Sequence, residues 1–210
     1  MDTITTPVHL RVIIDDDATP VVRLIGRTLR DAVRQEHALD VLGRGSGTVA
    51  VRSHATPQAA TVIFTDGAVA VSGGVFGPTD ATVTVDLDGR FAGVATDGDA
   101  ELADATLRAL QVPLPEWREA AARFWDITRG IRGIPDVLVA VADGPDGPQE
   151  ARFGSGPTSY RMVGTPDMLA GVFTGADFLF TALGRGLGVQ GTMSQLSVMT
   201  AASWRARYDI

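Results

Sequence analysis

The 210-residue chain contains no lysine, no asparagine and no cysteine. Without lysine, the sequence cannot form a Walker A phosphate loop, a Schiff-base catalyst or a Ser-x-x-Lys nucleophile pair. Without cysteine, it has no disulfide framework, no thiolate nucleophile and no zinc ribbon. These absences exclude several enzyme classes, and the protein does not require an oxidising compartment.

Positive charge is also scarce, because 18 basic residues stand against 25 acidic ones and leave a net charge of -7. A negative surface opposes binding to nucleic acid and to anionic membranes, so we expect no nucleic-acid partner. Apolar runs stay well short of the roughly 18 residues that a membrane span needs, so we expect no stable membrane insertion. The opening MDTITTPVHLRVIIDDD lacks the pattern of a signal peptide, and we expect a soluble, cytoplasmic protein.

Apolar residues make up 45% of the chain, which is enough to form a buried core. In the first half, Thr19-Pro20 is typical of a helix start, and apolar residues recur with a helical period to about His37. Strand-like alternation follows in three segments, Gly47–Ser53, Thr61–Val71 and Ala81–Leu87. Asp66-Gly67 inside the second segment predicts a two-residue hairpin turn. The first half therefore predicts one helix and an antiparallel sheet.

The second half begins with helices and then returns to strands. Asp99 caps one predicted helix, and Leu114-Pro115 opens another that carries Trp117, Phe124 and Trp125. The further predictions are a strand Val137–Val141, a loop ADGPDGPQEA, a strand Thr158–Gly164, a helix from Thr165-Pro166 with a break at Thr174-Gly175, a short strand in LGVQGT and a terminal helix Met193–Tyr208. This order predicts an α+β fold with a mainly antiparallel sheet covered by helices.

Gly186, Gly188 and Gly191 have the G-x-G-x-x-G spacing of dinucleotide-binding loops. That motif must open a βαβ unit and needs an acidic residue about 20 positions later. Only 19 residues follow Gly191, and the one acid among them is Asp209. We therefore favour a short strand whose glycines permit close backbone approach, and we expect no cofactor.

The segment from Tyr160 to Tyr208 resembles the sterol carrier protein type-2 family. The resemblance rests on Gly164-Thr165-Pro166 with Leu169, on Thr174-Gly175, and on the glycine-rich strand that ends at Gly191. A weaker resemblance covers Thr48 to Leu110, whereas Gln111 to Glu150 has no obvious counterpart. We therefore expect a single compact domain, 1–210, with imperfect repeat halves at about 47–110 and 152–207 and a helical insertion at about 111–135.

The resemblance implies an apolar tunnel between the sheet and its helices, which would bind a lipid, sterol or acyl chain without catalysis. Burying about 400 Å² of such a ligand contributes about 10 kcal/mol, and immobilisation costs of several kcal/mol leave roughly micromolar affinity. The expected lining residues are Met162, Leu169, Phe173, Phe178, Leu187, Val189, Met193, Leu196, Met199 and Trp204. Each of them is also compatible with an ordinary core position.

No residue pattern indicates catalysis or a metal site. His9, His37 and His54 are far apart in sequence and lack metal-ligand spacing. Two alternatives to a carrier remain. One is an enzyme or enzyme-accessory domain on the same scaffold, with Arg152, Arg161 or Arg185 at the mouth of the tunnel. The other is a structural module with a filled core, or a homodimer formed through the helix that carries Trp117 and Trp125.

Overall fold

The computed structural model describes residues 10–209 and contains seven helices and two β-sheets. The predicted α+β class is confirmed, and five of the eight strand pairings are antiparallel. Contacts divide the chain into two compact units, Met1–Val112 and Pro113–Ile210. Within residues 10–209, no helix is both long enough and apolar enough to cross a membrane.

The first unit contains six strands and three helices. Its elements are β1 (Arg11–Ile14), α1 (Pro20–Arg34), α2 (Leu39–Arg44), β2 (Gly47–Ser53), β3 (Ala59–Thr65), β4 (Ala68–Gly73), β5 (Ala81–Asp86), β6 (Ala92–Gly98) and α3 (Ala100–Leu110). The strands form one sheet in the order β1-β4-β3-β2-β5-β6. Asp66-Gly67 connects β3 to β4 because Thr65 pairs with Ala68, so the predicted hairpin is confirmed.

The second unit contains four strands and four helices. Its elements are α4 (Trp117–Thr128), β7 (Val137–Gly144), β8 (Gly147–Gly154), β9 (Ser159–Gly164), α5 (Pro166–Thr174), α6 (Leu179–Gly184), β10 (Gly188–Gln190) and α7 (Met193–Tyr208). The sheet order is β10-β9-β7-β8. The terminal helix has its predicted bounds, and a capping box between Thr192 and Gln195 fixes its start.

Two expectations about the sheets are wrong. The strands form two sheets, not one. The segment ADGPDGPQEA is not a loop, because β7 and β8 pair from Val137↔Gly154 to Gly144↔Gly147 around a two-residue turn. The polar residues of β8 suggested a loop, but β8 is an edge strand with one solvated face, where such residues are accommodated.

The two sheets share a four-strand arrangement. In the first unit, β3-β2-β5-β6 is paired antiparallel, parallel and antiparallel, and β8-β7-β9-β10 has the same order and directions in the second. The first unit adds β4 between β3 and β5, whereas the second inserts α5 and α6 between β9 and β10. The equivalent strands of the second unit begin at β7, upstream of the expected repeat boundary at Arg152.

A side-chain clasp joins the beginnings of β7 and β9. The Asp136 carboxylate accepts hydrogen bonds from the Thr158 backbone N–H at 3.0 Å and from the Thr158 hydroxyl at 2.6 Å. The Thr158 hydroxyl oxygen in turn accepts from the Asp136 N–H at 3.0 Å. These bonds favour the ionised carboxylate and hold the pKa of Asp136 below its ordinary value of 3.8.

Because the pKa of Asp136 is lowered by folding, the carboxylate stabilises the folded state above its unfolded-state pKa, and this contribution is lost as pH falls through the folded pKa. We expect Asp136→Asn to weaken the decline in unfolding midpoint that occurs below about pH 4. Tryptophan fluorescence in urea is suitable, because Trp117, Trp125 and Trp204 all lie in the second unit. Asp126→Asn, at an exposed position of α4, is the control. Identical pH profiles for Asp136→Asn and the wild type would contradict the assignment.

Candidate functional site

An apolar cluster fills the space between one face of the second sheet and helices α4 to α7. Strand alternation brings Leu138 and Ala140 of β7 and Tyr160 and Met162 of β9 onto this face. The helices contribute their apolar stripes, and Phe124 of α4 contacts Phe173 of α5 with ring centroids 5.3 Å apart. Trp117 and Phe124 are buried here, so the apolar stripe of α4 faces the core of its own unit.

The structure brings seven of the ten predicted lining residues together in this cluster. Five are buried, namely Met162, Leu169, Phe173, Leu187 and Met199. Two are half-buried and pack against the cluster, namely Val189 and Leu196. The other three lie outside it, namely Phe178, Met193 and Trp204. The side chain of Met193 is 80% exposed at the first position of α7.

Phe178, Phe180 and Trp204 form an aromatic patch on the surface of the second unit. The ring of Phe178 stacks on Trp204 at 6.5 Å and meets the edge of Phe180 at 5.7 Å. Phe180 is 50% exposed and Trp204 is 46% exposed. Leu179, between the two phenylalanines in sequence, belongs to the apolar cluster. The aromatic patch therefore adjoins the cluster where α6 meets α7, and Phe180 is a member that the sequence analysis missed.

Tyr160 carries the one side-chain oxygen among the buried residues of the apolar cluster as the structure describes it. It is 1% exposed, and its hydroxyl has no hydrogen-bond partner among the described residues. Burial raises the pKa of Tyr160 to about 12, because the phenolate is not solvated there. Sequence reasoning omitted Tyr160, although its position two residues before Met162 placed both on the same strand face.

The glycine-rich stretch is a strand beside the apolar cluster, as expected. β10 pairs antiparallel with β9 and is followed by α7, which is not the βαβ context of a dinucleotide site. A Cβ atom at Gly191 would lie 2.5 Å from Cδ2 of Tyr160, so the backbone must approach the ring without a side chain. Gly186, with φ +107, has no atom within 4 Å of such a Cβ position and permits a positive φ.

The candidate cations of the enzyme alternative are not directed at the cluster. Arg161 alternates with Tyr160 and Met162 and therefore lies on the opposite sheet face, where it pairs with Glu150 at 2.7 Å. Arg152 pairs with the same carboxylate at 3.4 Å, and both guanidinium groups lower the pKa of Glu150. Arg185 is exposed at the C-cap of α6.

The histidines that the structure describes have backbone partners. A ring nitrogen of His37 lies 2.7 Å from the Arg108 carbonyl, and one of His54 lies 3.4 Å from the Val85 carbonyl. His9 lies outside the described residues. Among residues 10–209, no group of three or more His, Asp or Glu side chains is arranged to hold a metal ion.

The first unit has an open groove of about 710 Å³ between α2 and α3. Its lining includes four carboxylates and the guanidinium of Arg108. Arg108 bonds Asp40 at 2.5 Å and thereby lowers the pKa of Asp40. Because five of its ten lining residues are charged, this groove does not suit an apolar ligand, and none of the predicted lining residues belongs to it.

Comparisons with family models, with curated proteins and with solved structures find no match for this chain.

Proposed function

We propose that the second unit binds the apolar part of a small molecule, such as a lipid, sterol or acyl chain, between its sheet and helices α5 to α7. The segment from Tyr160 to Tyr208 resembles sterol carrier protein type-2 domains, and this resemblance supports the proposal. The ligand would displace or join the apolar side chains of the cluster, and the protein would carry it without changing it chemically.

The main structural support for this proposal is the aromatic patch. Large aromatic side chains left half-exposed next to a core are typical of surfaces that contact an apolar partner or ligand. Phe178 and Trp204 were expected to contact ligand, and both lie in the patch, stacked on each other. A ligand that passes between α6 and α7 would meet these rings first. Met199 and Leu196, on the same helix as Trp204, would contact it further in, and flexible thioethers adapt to irregular ligands.

Native mass spectrometry of the purified full-length protein tests the proposal directly. A stoichiometric lipid or sterol released by denaturing extraction would support it and name the ligand class. Titration with a fluorescent fatty acid and a fluorescent sterol provides the second measurement. If the measured mass is that of the protein without a ligand and neither probe binds, the proposal is rejected.

The aromatic patch gives a sharper test. We expect the double variant Phe180→Ser with Trp204→Ser to weaken probe binding about tenfold or more, because two apolar contacts of roughly 1 kcal/mol each are lost. The matched control is Phe76→Ser, which removes a phenylalanine that is 94% exposed in the first unit. Equal affinities for the double variant and the control would show that the patch does not contact the ligand.

A second candidate function is supported by the packing of the apolar cluster. Met162, Leu169 and Phe173 are all buried together with helix side chains, as in a core filled by its own residues. In that case the second unit would be a structural or dimerisation module, and the aromatic patch would be its contact surface. Sedimentation velocity distinguishes the two functions. The structural module would be favoured if the wild type forms a dimer and binds no probe, and if the double variant is monomeric.

A further inference from the structure

The hydroxyl of Tyr160 is the feature that the proposed function leaves unexplained. A buried hydroxyl without a partner is costly, and buried polar groups in folded proteins nearly always have one. Phenylalanine would fill the same space without this cost. No described residue provides a hydrogen-bond partner for this hydroxyl. A partner for the hydroxyl must therefore come from elsewhere.

We infer that Tyr160 is the specificity-determining residue of the ligand site and that its hydroxyl hydrogen-bonds a neutral oxygen atom of the ligand. This inference rests on the proposed function and narrows the ligand to a molecule with an apolar body and an uncharged alcohol, ketone or ester group. An anionic head is disfavoured, because a carboxylate transferred into the apolar cluster would be an unpaired buried charge. A pure hydrocarbon is disfavoured, because it would leave the hydroxyl unsatisfied.

The close approach of Gly191 is consistent with this role. Its backbone lies against the Tyr160 ring, where a Cβ atom would be 2.5 Å from Cδ2 and 2.8 Å from Cε2. On the other side, Leu138 of β7 lies opposite Tyr160 in the ladder between β7 and β9. The ring is thus held between strand and glycine, which fixes the position of its hydroxyl within the cluster. A rigidly placed hydrogen-bonding group is what selection between similar ligands requires.

The test compares three ligands of equal chain length, 1-decanol, decane and decanoate, by their displacement of a fluorescent sterol or fatty-acid probe from the full-length protein. We expect the wild type to prefer 1-decanol over both others. We expect Tyr160→Phe to reduce the preference for 1-decanol over decane about tenfold, mainly by weakening the binding of the alcohol, which loses its hydrogen bond to the Tyr160 hydroxyl. Tyr208→Phe, which alters the other tyrosine of the chain, should leave that preference unchanged.

The outcomes separate this inference from the proposed function. Failure of the wild type to bind the probe would reject the proposed function. If the probe binds but the wild type and Tyr160→Phe show the same preference for the alcohol over the alkane, the inference alone is rejected. It is likewise rejected if none of the three ligands displaces the probe. Tyr160→Phe should fold with an unchanged or higher melting temperature than the wild type, since it removes an unsatisfied group. A lower melting temperature would show that the hydroxyl already has a partner, such as an internal water, and would also overturn the inference.

Discussion

Replacing Arg207 with methionine is expected to lower the free energy of unfolding by about 3 kcal/mol. Arg207 is a buried residue of α7, and its guanidinium Nη1 donates to the carbonyls of Gly175 and Ala176, each at 3.0 Å. These carbonyls lie immediately after α5, where Gly175 adopts φ +74 and ends the helix. Methionine fills similar volume but leaves both carbonyls without this donor. The end of α5 would then lose its attachment to α7.

Urea unfolding followed by tryptophan fluorescence measures this effect. The matched control is Arg205→Met, which removes an exposed guanidinium two residues earlier on the same helix. We expect the control to change the free energy of unfolding by less than about 0.5 kcal/mol. Equal losses in the two variants would mean that the carbonyl contacts of Arg207 contribute no more than a surface charge does. Both variants are compared at equal pH and salt, because electrostatic contributions depend on them.

The substitution Gly191→Ala is expected to destabilise the protein by about 2 to 3 kcal/mol, because the added methyl group would overlap the ring of the buried Tyr160. The added Cβ would lie 2.5 Å from Cδ2 of Tyr160 and 2.9 Å from the Gln195 side-chain oxygen. That oxygen accepts from the Thr192 N–H at 2.8 Å in the capping box of α7. The ring or the helix start must therefore move, and either movement breaks established contacts.

Gly188→Ala is the control, because a Cβ there would have no neighbour nearer than 3.6 Å. We expect it to leave stability within about 0.5 kcal/mol of the wild type. The pair also tests the discarded dinucleotide interpretation, in which the second glycine of the motif must approach a pyrophosphate. A loss of NAD binding in Gly188→Ala would revive that interpretation, whereas a stability loss confined to Gly191→Ala would support the role in packing against Tyr160.

The sequence alone determined most of the local structure. Pro20 and Asp99 marked helix starts, Asp66-Gly67 marked a hairpin, and the terminal helix was predicted to begin at Met193. These signals are local, because a cap or a two-residue turn involves backbone groups a few positions apart. The alternation of β9 likewise placed Met162 on the inner face. Local patterns of this kind are sufficient to predict the α+β class.

Two features of the fold depended on the tertiary structure. The polar strand β8 pairs because it is an edge strand beside β7, and its own residues do not indicate this. The division into two sheets depends on pairings between distant strands, such as β7 with β9, which periodicity does not encode.

The candidate site shows the same limit. The resemblance suggested ten lining residues, and only the structure separated the seven of the apolar cluster from Phe178, Met193 and Trp204, which lie outside it. It also showed that the Tyr160 hydroxyl is buried without a partner among the described residues. Amino-acid order determines which side chains share a strand or helix face, because those periods are fixed by backbone geometry. Burial and hydrogen bonding are decided by which faces meet, and that depends on packing across the whole second unit.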